Sequence, residues 1–281
     1  MAKLKQMLAA VGCLVCLLTA GCGREQSQKA PTQPVERENS AKLYNEAVEK
    51  LLQAQSYTMV GSVNSSSVMG EVLTSVVTSV DCKYAAQEES YVMRMEAMQR
   101  YDGLEFAHST YYADGKYYYD TLGTKYIKTE NDLGDFAAAD YAMLVEDSAL
   151  TNYTIQQTHD GEQQVRFEIP YGIFYSDALD YWLGDFMGED VRQRLVVVRA
   201  TIDADGFLTG LYIDVENETS FTDEPVLQTV TISLKFSGYN ETQVTAPTDL
   251  DAYEDQTQEY SGGQHGSDDD VPEEFTGDSL D

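Results

Sequence analysis

The segment Ala200-Thr-Ile-Asp-Ala-Asp-Gly-Phe-Leu-Thr-Gly-Leu-Tyr-Ile-Asp214 holds a strand-like run on each side of one Asp-Gly pair. Beyond the turn, Phe207, Thr209, Leu211, Ile213 and Val215 alternate with Leu208, Gly210, Tyr212 and Asp214. A period of two marks a strand with one buried face. Asp205-Gly206 supplies the positive φ angles that a tight hairpin needs. The segment therefore predicts two antiparallel strands joined by a short turn.

The same grammar repeats along the chain. Tyr91, Met93, Met95 and Ala97 alternate with Val92, Arg94, Glu96 and Met98, and Val230, Ile232, Leu234 and Phe236 with Thr229, Thr231, Ser233 and Lys235. Asp102-Gly103, Asp114-Gly115 and Asp160-Gly161 add further turns. Counting between turns predicts about eleven strands, near 57–69, 71–84, 88–99, 104–113, 116–120, 124–129, 152–158, 163–169, 193–203, 207–217 and 226–241. Before them, Leu43, Tyr44, Ala47, Val48, Leu51 and Leu52 recur at helical spacing behind the N-cap candidates Asn39 and Ser40. Two segments between strands also read as helices. Residues 133–148 carry Phe136, Tyr141, Leu144 and Val145, and residues 173–188 carry Phe174, Tyr181, Trp182 and Phe186. The second is apolar over a wide arc, so it needs broad cover such as the concave face of a curved sheet.

The N-terminus sets the compartment. Lys3 and Lys5 precede an apolar run from Met7 to Leu18, too short for a permanent span but right for a signal peptide. Leu18-Thr19-Ala20-Gly21 then leads into Cys22, an order that resembles the lipobox of bacterial lipoproteins. That resemblance implies cleavage before Cys22 and acylation of its thiol, which anchors the protein in a membrane without spanning it. Cys13 and Cys16 leave with the signal peptide. Cys82 alone stays in the fold, where its phase with Val76, Thr78, Val80 and Tyr84 predicts a small buried hydrophobe.

Both flanks are polar. Residues 22–39 read as a flexible tether, residues 40–248 as one domain, and residues 249–281, with twelve acids and no Lys or Arg, as a solvated tail. The formal net charge is −30, which excludes nucleic acid as a partner, because such binders need a basic footprint.

The order of elements resembles the LolA/LppX-like superfamily of bacterial lipoprotein and lipid carriers. Ala200–Asp214 looks like its late hairpin. Phe236-Ser-Gly-Tyr-Asn240 with Val244-Thr-Ala-Pro247 is similar to its last strand ending, and Tyr111-Tyr-Ala-Asp-Gly-Lys-Tyr-Tyr-Tyr119 to a hairpin of Gram-positive lipoproteins. The resemblance implies a mainly β, α+β fold: a half-open antiparallel barrel of about eleven strands, an N-terminal helix and two inserted plug helices over an apolar cavity. The expected lining is Met59, Met93, Met95, Phe174, Trp182, Phe186, Leu211 and Ile213.

No nucleophile elbow, His-Glu-x-x-His pair or phosphate loop occurs in the sequence. His108 falls in a strand, His159 beside a turn and His265 in the tail, so no catalytic residue, metal ligand or cofactor is expected. Asp203-Ala-Asp-Gly206 lacks the ligand spacing of a calcium loop. Two readings follow. One is a lipid-anchored carrier of an apolar ligand on the extracytoplasmic face of a membrane, in a Gram-positive cell. The other is an envelope sensor or interaction lipoprotein that recognises a protein partner.

Overall fold

The computed structural model describes residues 34–88, 90–129, 141–158, 161–170, 172–173, 195–221 and 224–257. One helix, α1 (Pro34–Leu52), precedes eleven strands: β1 Ser56–Met69, β2 Val72–Ala86, β3 Tyr91–Tyr101, β4 Leu104–Ala113, β5 Lys116–Thr121, β6 Thr124–Lys128, β7 Thr151–Gln157, β8 Gln163–Pro170, β9 Leu195–Ile202, β10 Leu208–Phe221 and β11 Glu224–Ser237. A twelfth, β12 (Glu254–Asp255), was not expected from sequence. All twelve form one sheet in the order β12-β6-β5-β4-β3-β2-β1-β11-β10-β9-β8-β7. The sheet is open, with β12 and β7 at its edges, so the described fold is mainly β and half-open.

Two meanders, β1–β6 and β7–β11, are joined where β1 pairs antiparallel with β11. At this seam Met59 faces Phe236 and Val63 faces Ile232. Gly61 lies between them opposite Leu234, and a Cβ on it would stand 2.1 Å from the Ser233 carbonyl oxygen. Only glycine admits this close approach. The buried face of the seam is continuous, through Val230, Ile232, Leu234 and Phe236 on one side and Leu211, Ile213 and Val215 on the other. The alternation of β10 is broken once. A bulge between Leu208 and Gly210 shifts the register, so Leu208 joins Leu211 in the core while Thr209 does not.

Helix α1 covers one half of the inner face, packing on β7, β8, β9 and β10. Its stripe of Ala41, Tyr44, Ala47, Val48 and Leu51 is buried, and the Tyr44 ring meets Phe167 edge-on at 5.1 Å. The helix starts at Pro34, inside the stretch read as tether. Proline suits a first turn, where its missing N–H leaves no bond unmade. Ser40 is therefore no cap. It sits in the second turn, buried, with its hydroxyl donating to the Glu36 carbonyl at 2.9 Å.

Residues 141–148, the described part of the helix expected over 133–148, are not α-helical. Only Asp147–Ala149 form a turn of 3-10 helix. The cause is a clamp from α1. Asn45 donates through Nδ2 to the Val145 carbonyl at 2.8 Å and accepts from the Val145 N–H at 2.9 Å. Such an amide imitates a strand edge and holds Val145 away from helical pairing, while Tyr141, Ala142 and Val145 fill the core. The helix expected over 173–188 lies outside the described residues except for Ile173, which is in a turn.

The first nine residues assigned to the tail belong to the fold. After Gly238 the chain crosses the outer face of β1–β6. Thr242 bonds Thr58 at 2.9 Å, the Thr245 carbonyl accepts from Arg94, Asp249 pairs with Lys125, and Tyr253 meets Tyr118 edge-on at 5.6 Å. β12 then runs parallel to β6 and covers part of that edge.

The seam generates a stability prediction. Gly61→Ala forces the β11 backbone away from β1 and should cost at least about 2 kcal/mol, read as a lowered urea midpoint with an unchanged slope. A neutral substitution would show that the two strands can separate locally without loss.

Candidate functional site

The strand registers place the inner-face residues of β1–β6 in rows across the strands. One row runs Met59, Cys82, Met95, Thr110, Tyr119 and Tyr126. The next runs Gly61, Val80, Ala97, His108 and Thr121. Thr78 follows beside Val63. Of the expected lining, Met59, Met93 and Met95 all lie buried on this half of the inner face. Leu211 and Ile213 are also buried, but in the aliphatic half on β10, across the seam. One core cluster contains all five. Phe174, Trp182 and Phe186, with Cys22, lie outside the described residues, as do His159 and His265.

The two halves of the inner face differ chemically. Under α1 it is mostly aliphatic, with Val165, Ile169, Val196, Val198 and Ile202 around the single ring of Phe167. Over β1–β6 it is aromatic and sulfur-rich. Rings follow one another from Tyr57 to Tyr84 (4.9 Å), Tyr91 (5.5 Å), Tyr112 (4.3 Å) and Tyr117 (4.6 Å). The series continues through Tyr119 to Tyr126. Such ladders contribute beyond area burial and leave hydroxyls along an apolar wall. Methionine next to them adapts to irregular apolar shapes.

This same half holds polar atoms that the protein does not satisfy. Among the described residues, six buried side-chain nitrogen or oxygen atoms lack a hydrogen-bond partner, and four share this patch: Thr78 Oγ1, His108 Nδ1, Thr110 Oγ1 and Thr121 Oγ1. Thr78 and Thr110 are each only 3% exposed. The register spreads the four over β2 to β5 near Ala97: His108 pairs with it, Thr78 and Thr110 lie two residues along on the flanking strands, and Thr121 pairs with His108 one strand, about 5 Å, further on. An unmet buried hydroxyl costs about 1–3 kcal/mol, so four together mark a place where water or a ligand's polar group belongs. In the sequence Thr78 is in phase with the buried residues of β2, but that phase alone signals no site. Threonine is ordinary in strands, and only the register reveals that the four converge.

Cys82 is buried at the centre of this half. Desolvation first, then the nearby Asp81 charge, pushes its thiol up to about 12. The thiol is neither a nucleophile nor a ligand at neutral pH. Desolvation likewise raises the Tyr44 hydroxyl well above its usual range. Among the described residues no group of three or more His, Cys, Asp or Glu is placed to hold a metal.

Two grooves open on the outer face. One, of about 560 Å³, spans β1–β5 and is lined by Asp81, Glu96 and Asp120 with Ser79 and Ser109. The other, of about 460 Å³, spans β7–β11 and carries Arg166, Arg199 and Lys235, with the Arg199 guanidinium 4.7 Å from the Tyr212 ring centroid.

No protein-family model matches the chain, and no curated protein matches it. Among solved structures it is similar to LprF from Mycobacterium bovis, at 14% identity and a TM-score of 0.46, over 75% of this chain and 96% of that one. It is similar to the Mycobacterium tuberculosis lipoprotein LppX at 12% identity and a TM-score of 0.43, over 75% of this chain and 99% of that one. A DUF1329 family protein from Desulfovibrio piger follows at 8% identity and a TM-score of 0.24, over 75% of this chain and 95% of that one. These likenesses concern the course of the chain. What the chain binds has to be read from its own residues.

Burial of Cys82 fixes a pH response. The unfolded thiol ionises near 9 while the folded one holds its proton to about 12. Above pH 9 the unfolded state therefore binds fewer protons, and stability should fall with rising pH until about 12. Cys82→Ala should lessen that alkaline slope in urea titrations. The native thiol should stay unreactive towards a thiol reagent at neutral pH until the protein is unfolded.

Proposed function

We propose that this chain is a non-enzymatic, lipid-anchored extracytoplasmic protein that holds an amphiphilic ligand against the inner face of β1–β6. The anchor is Cys22, read from the signal sequence and its lipobox-like ending. No helix among the described residues is long and apolar enough to cross a membrane, which is compatible with membrane residence through acyl chains alone.

The observation that carries the ligand reading is the make-up of the patch around Ala97. Met59, Met93, Met95 and the tyrosine ladder offer an adaptable apolar wall, and four unmet polar atoms stand within it. A wholly apolar guest leaves those atoms unpaired. A guest with an acyl body and a hydroxyl, ester or other hydrogen-bonding end satisfies both halves. The wider cavity of the proposal would also engage Phe174, Trp182 and Phe186 from the segment between β8 and β9, and Leu211 and Ile213 from the aliphatic half.

A second reading, recognition of an envelope protein, is supported by the outer groove over β7–β11. On a chain of net charge −30, Arg166, Arg199 and Lys235 gathered in one groove suit an acidic partner segment. Against it, Arg166 is already paired with Glu168 at 2.7 Å.

The deciding experiment is native mass spectrometry on the chain from Gly23, purified without detergent, with an organic extract analysed alongside. The ligand reading expects a stoichiometric amphiphile in the native spectrum. Thr78→Val and Thr110→Val should each lower its occupancy. In protein stripped of ligand the same changes should raise stability by about 1 kcal/mol, because each removes an unpaired hydroxyl. A clean apo mass that stays unchanged after incubation with envelope lipids would sink the ligand reading and leave the protein-recognition one.

A further inference from the structure

The two ends of the sheet differ in their surface chemistry. At one end α1 runs into β1, and the turns there are polar: Gln87 to Ser90, Asp114-Gly115, and Asp203 to Gly206. At the opposite end the hairpins turn at Gly70-Glu71, Asp102-Gly103 and Leu122-Gly123. Each of these three tips carries an exposed large apolar side chain. Leu73 is 67% exposed, Leu104 57% and Leu122 64%. Val72 stands beside Leu73 at the first tip, and Tyr101 pairs with Leu104 at the second. Val68 is flanked across the strands by Leu73 and Leu227 on the outer face. Ile173 is exposed just past the end of β8, at the same end. Eight of the twelve exposed large hydrophobics among the described residues therefore gather at one end of the sheet, whereas Leu52 and Ile155 sit towards the other. Scattered exposure needs no account, but a gathered rim does.

The start of the helix belongs to this same end. Arg37, in the first turns of α1, pairs with Asp147 at 3.5 Å, directly before β7 begins at Thr151. Thr151 pairs with Glu168 near the end of β8, which closes at Pro170 opposite the start of β9. The chain before Pro34 thus leaves from the apolar end. Only eleven residues, Gly23 to Gln33, lie between Cys22 and the helix, a reach of at most about 40 Å when extended.

We infer that the hairpin tips carrying Val72, Leu73, Leu104 and Leu122 form a membrane-docking rim, pressed into the bilayer surface to which Cys22 ties the chain. The occupant is a lipid bilayer. The contact is apolar, because a chain of net charge −30 gains nothing from anionic head groups, so docking should be insensitive to salt on zwitterionic vesicles. Glu71 and Asp102, within the tips, keep the insertion shallow. The inference rests on the anchor at Cys22 but is independent of any ligand on the inner face.

The test supplies the anchor chemically, so it does not depend on whether Cys22 is acylated in the cell. The mature chain from Cys22 is coupled through that thiol to a maleimide lipid in phosphatidylcholine vesicles, Cys82 being buried and unreactive. Leu73→Trp and Leu52→Trp variants are then compared for quenching by bromine-labelled acyl chains. The unmodified chain, with its single tryptophan, provides the baseline. The rim predicts quenching at position 73 at least roughly threefold stronger than at position 52, in the range of interfacial insertion, with no change on raising salt. Both positions are exposed, so neither variant threatens the fold. Quenching at position 73 no stronger than at position 52 overturns the inference. The ligand proposal is read separately from the native spectrum, so either can fail alone.

Discussion

The pairing of β1 with β11 is the constraint on which the rest of the structure depends. Each meander alone would present a long unpaired edge of backbone N–H and C=O groups, one along β1 and one along β11. Their pairing removes both edges and makes one surface wide enough to curve around α1. The seam also fixes what lies on the inner face. A slip of β11 by one residue against β1 would turn Ile232 and Phe236 outward while Met59 and Val63 stayed on the inner face. Gly61 enforces the match by admitting the β11 backbone where a methyl group cannot fit.

From the seam the inner face divides in two. The side under α1 is sealed by its own aliphatic residues and by the Asn45 clamp on Val145. The side over β1–β6 is built of tyrosine, methionine and threonine, with hydroxyls and an imidazole left unmet. A core made only for stability would not spend its centre on unpaired polar atoms. The contrast between the halves therefore supports the placement of a guest on one of them. The strap formed by residues 238–257 ties the outer face of that same half together, from Thr58 to Lys125.

Most strands were legible because their boundaries are local. Asp102-Gly103 and Asp114-Gly115 adopt the positive φ angles read from them, and the alternation matches burial from Met93 to Met98 in β3 and from Thr229 to Phe236 in β11. Illegible features are set by distant contacts. β12 is two acidic residues, brought to the edge by the preceding Asp249 and Tyr253 on Lys125 and Tyr118 and held there by the Lys116–Asp255 pair, and nothing in its own sequence asks for a strand. The bulge at Leu208–Gly210 hides inside a perfect alternation. The start of α1 is masked by polar residues, since Glu36, Glu38 and Asn39 project into solvent and give no apolar rhythm. Val145 reads as helical until Asn45, a hundred residues earlier, takes its backbone. Along Tyr117-Tyr118-Tyr119 the face cannot be read at all, because both phases are tyrosine. Only pairing shows that Tyr117 and Tyr119 point inward.

The seam also orders events in time. Its register partners stand 157 to 179 residues apart in the chain, a separation that makes their meeting slow and late. Until residues 224–237 have been made, β1 has no neighbour on one side and the wide surface cannot close. A growing or threading chain of this design stays open until its final long strand arrives. The last long strand among the described residues is thus also the one that closes the fold.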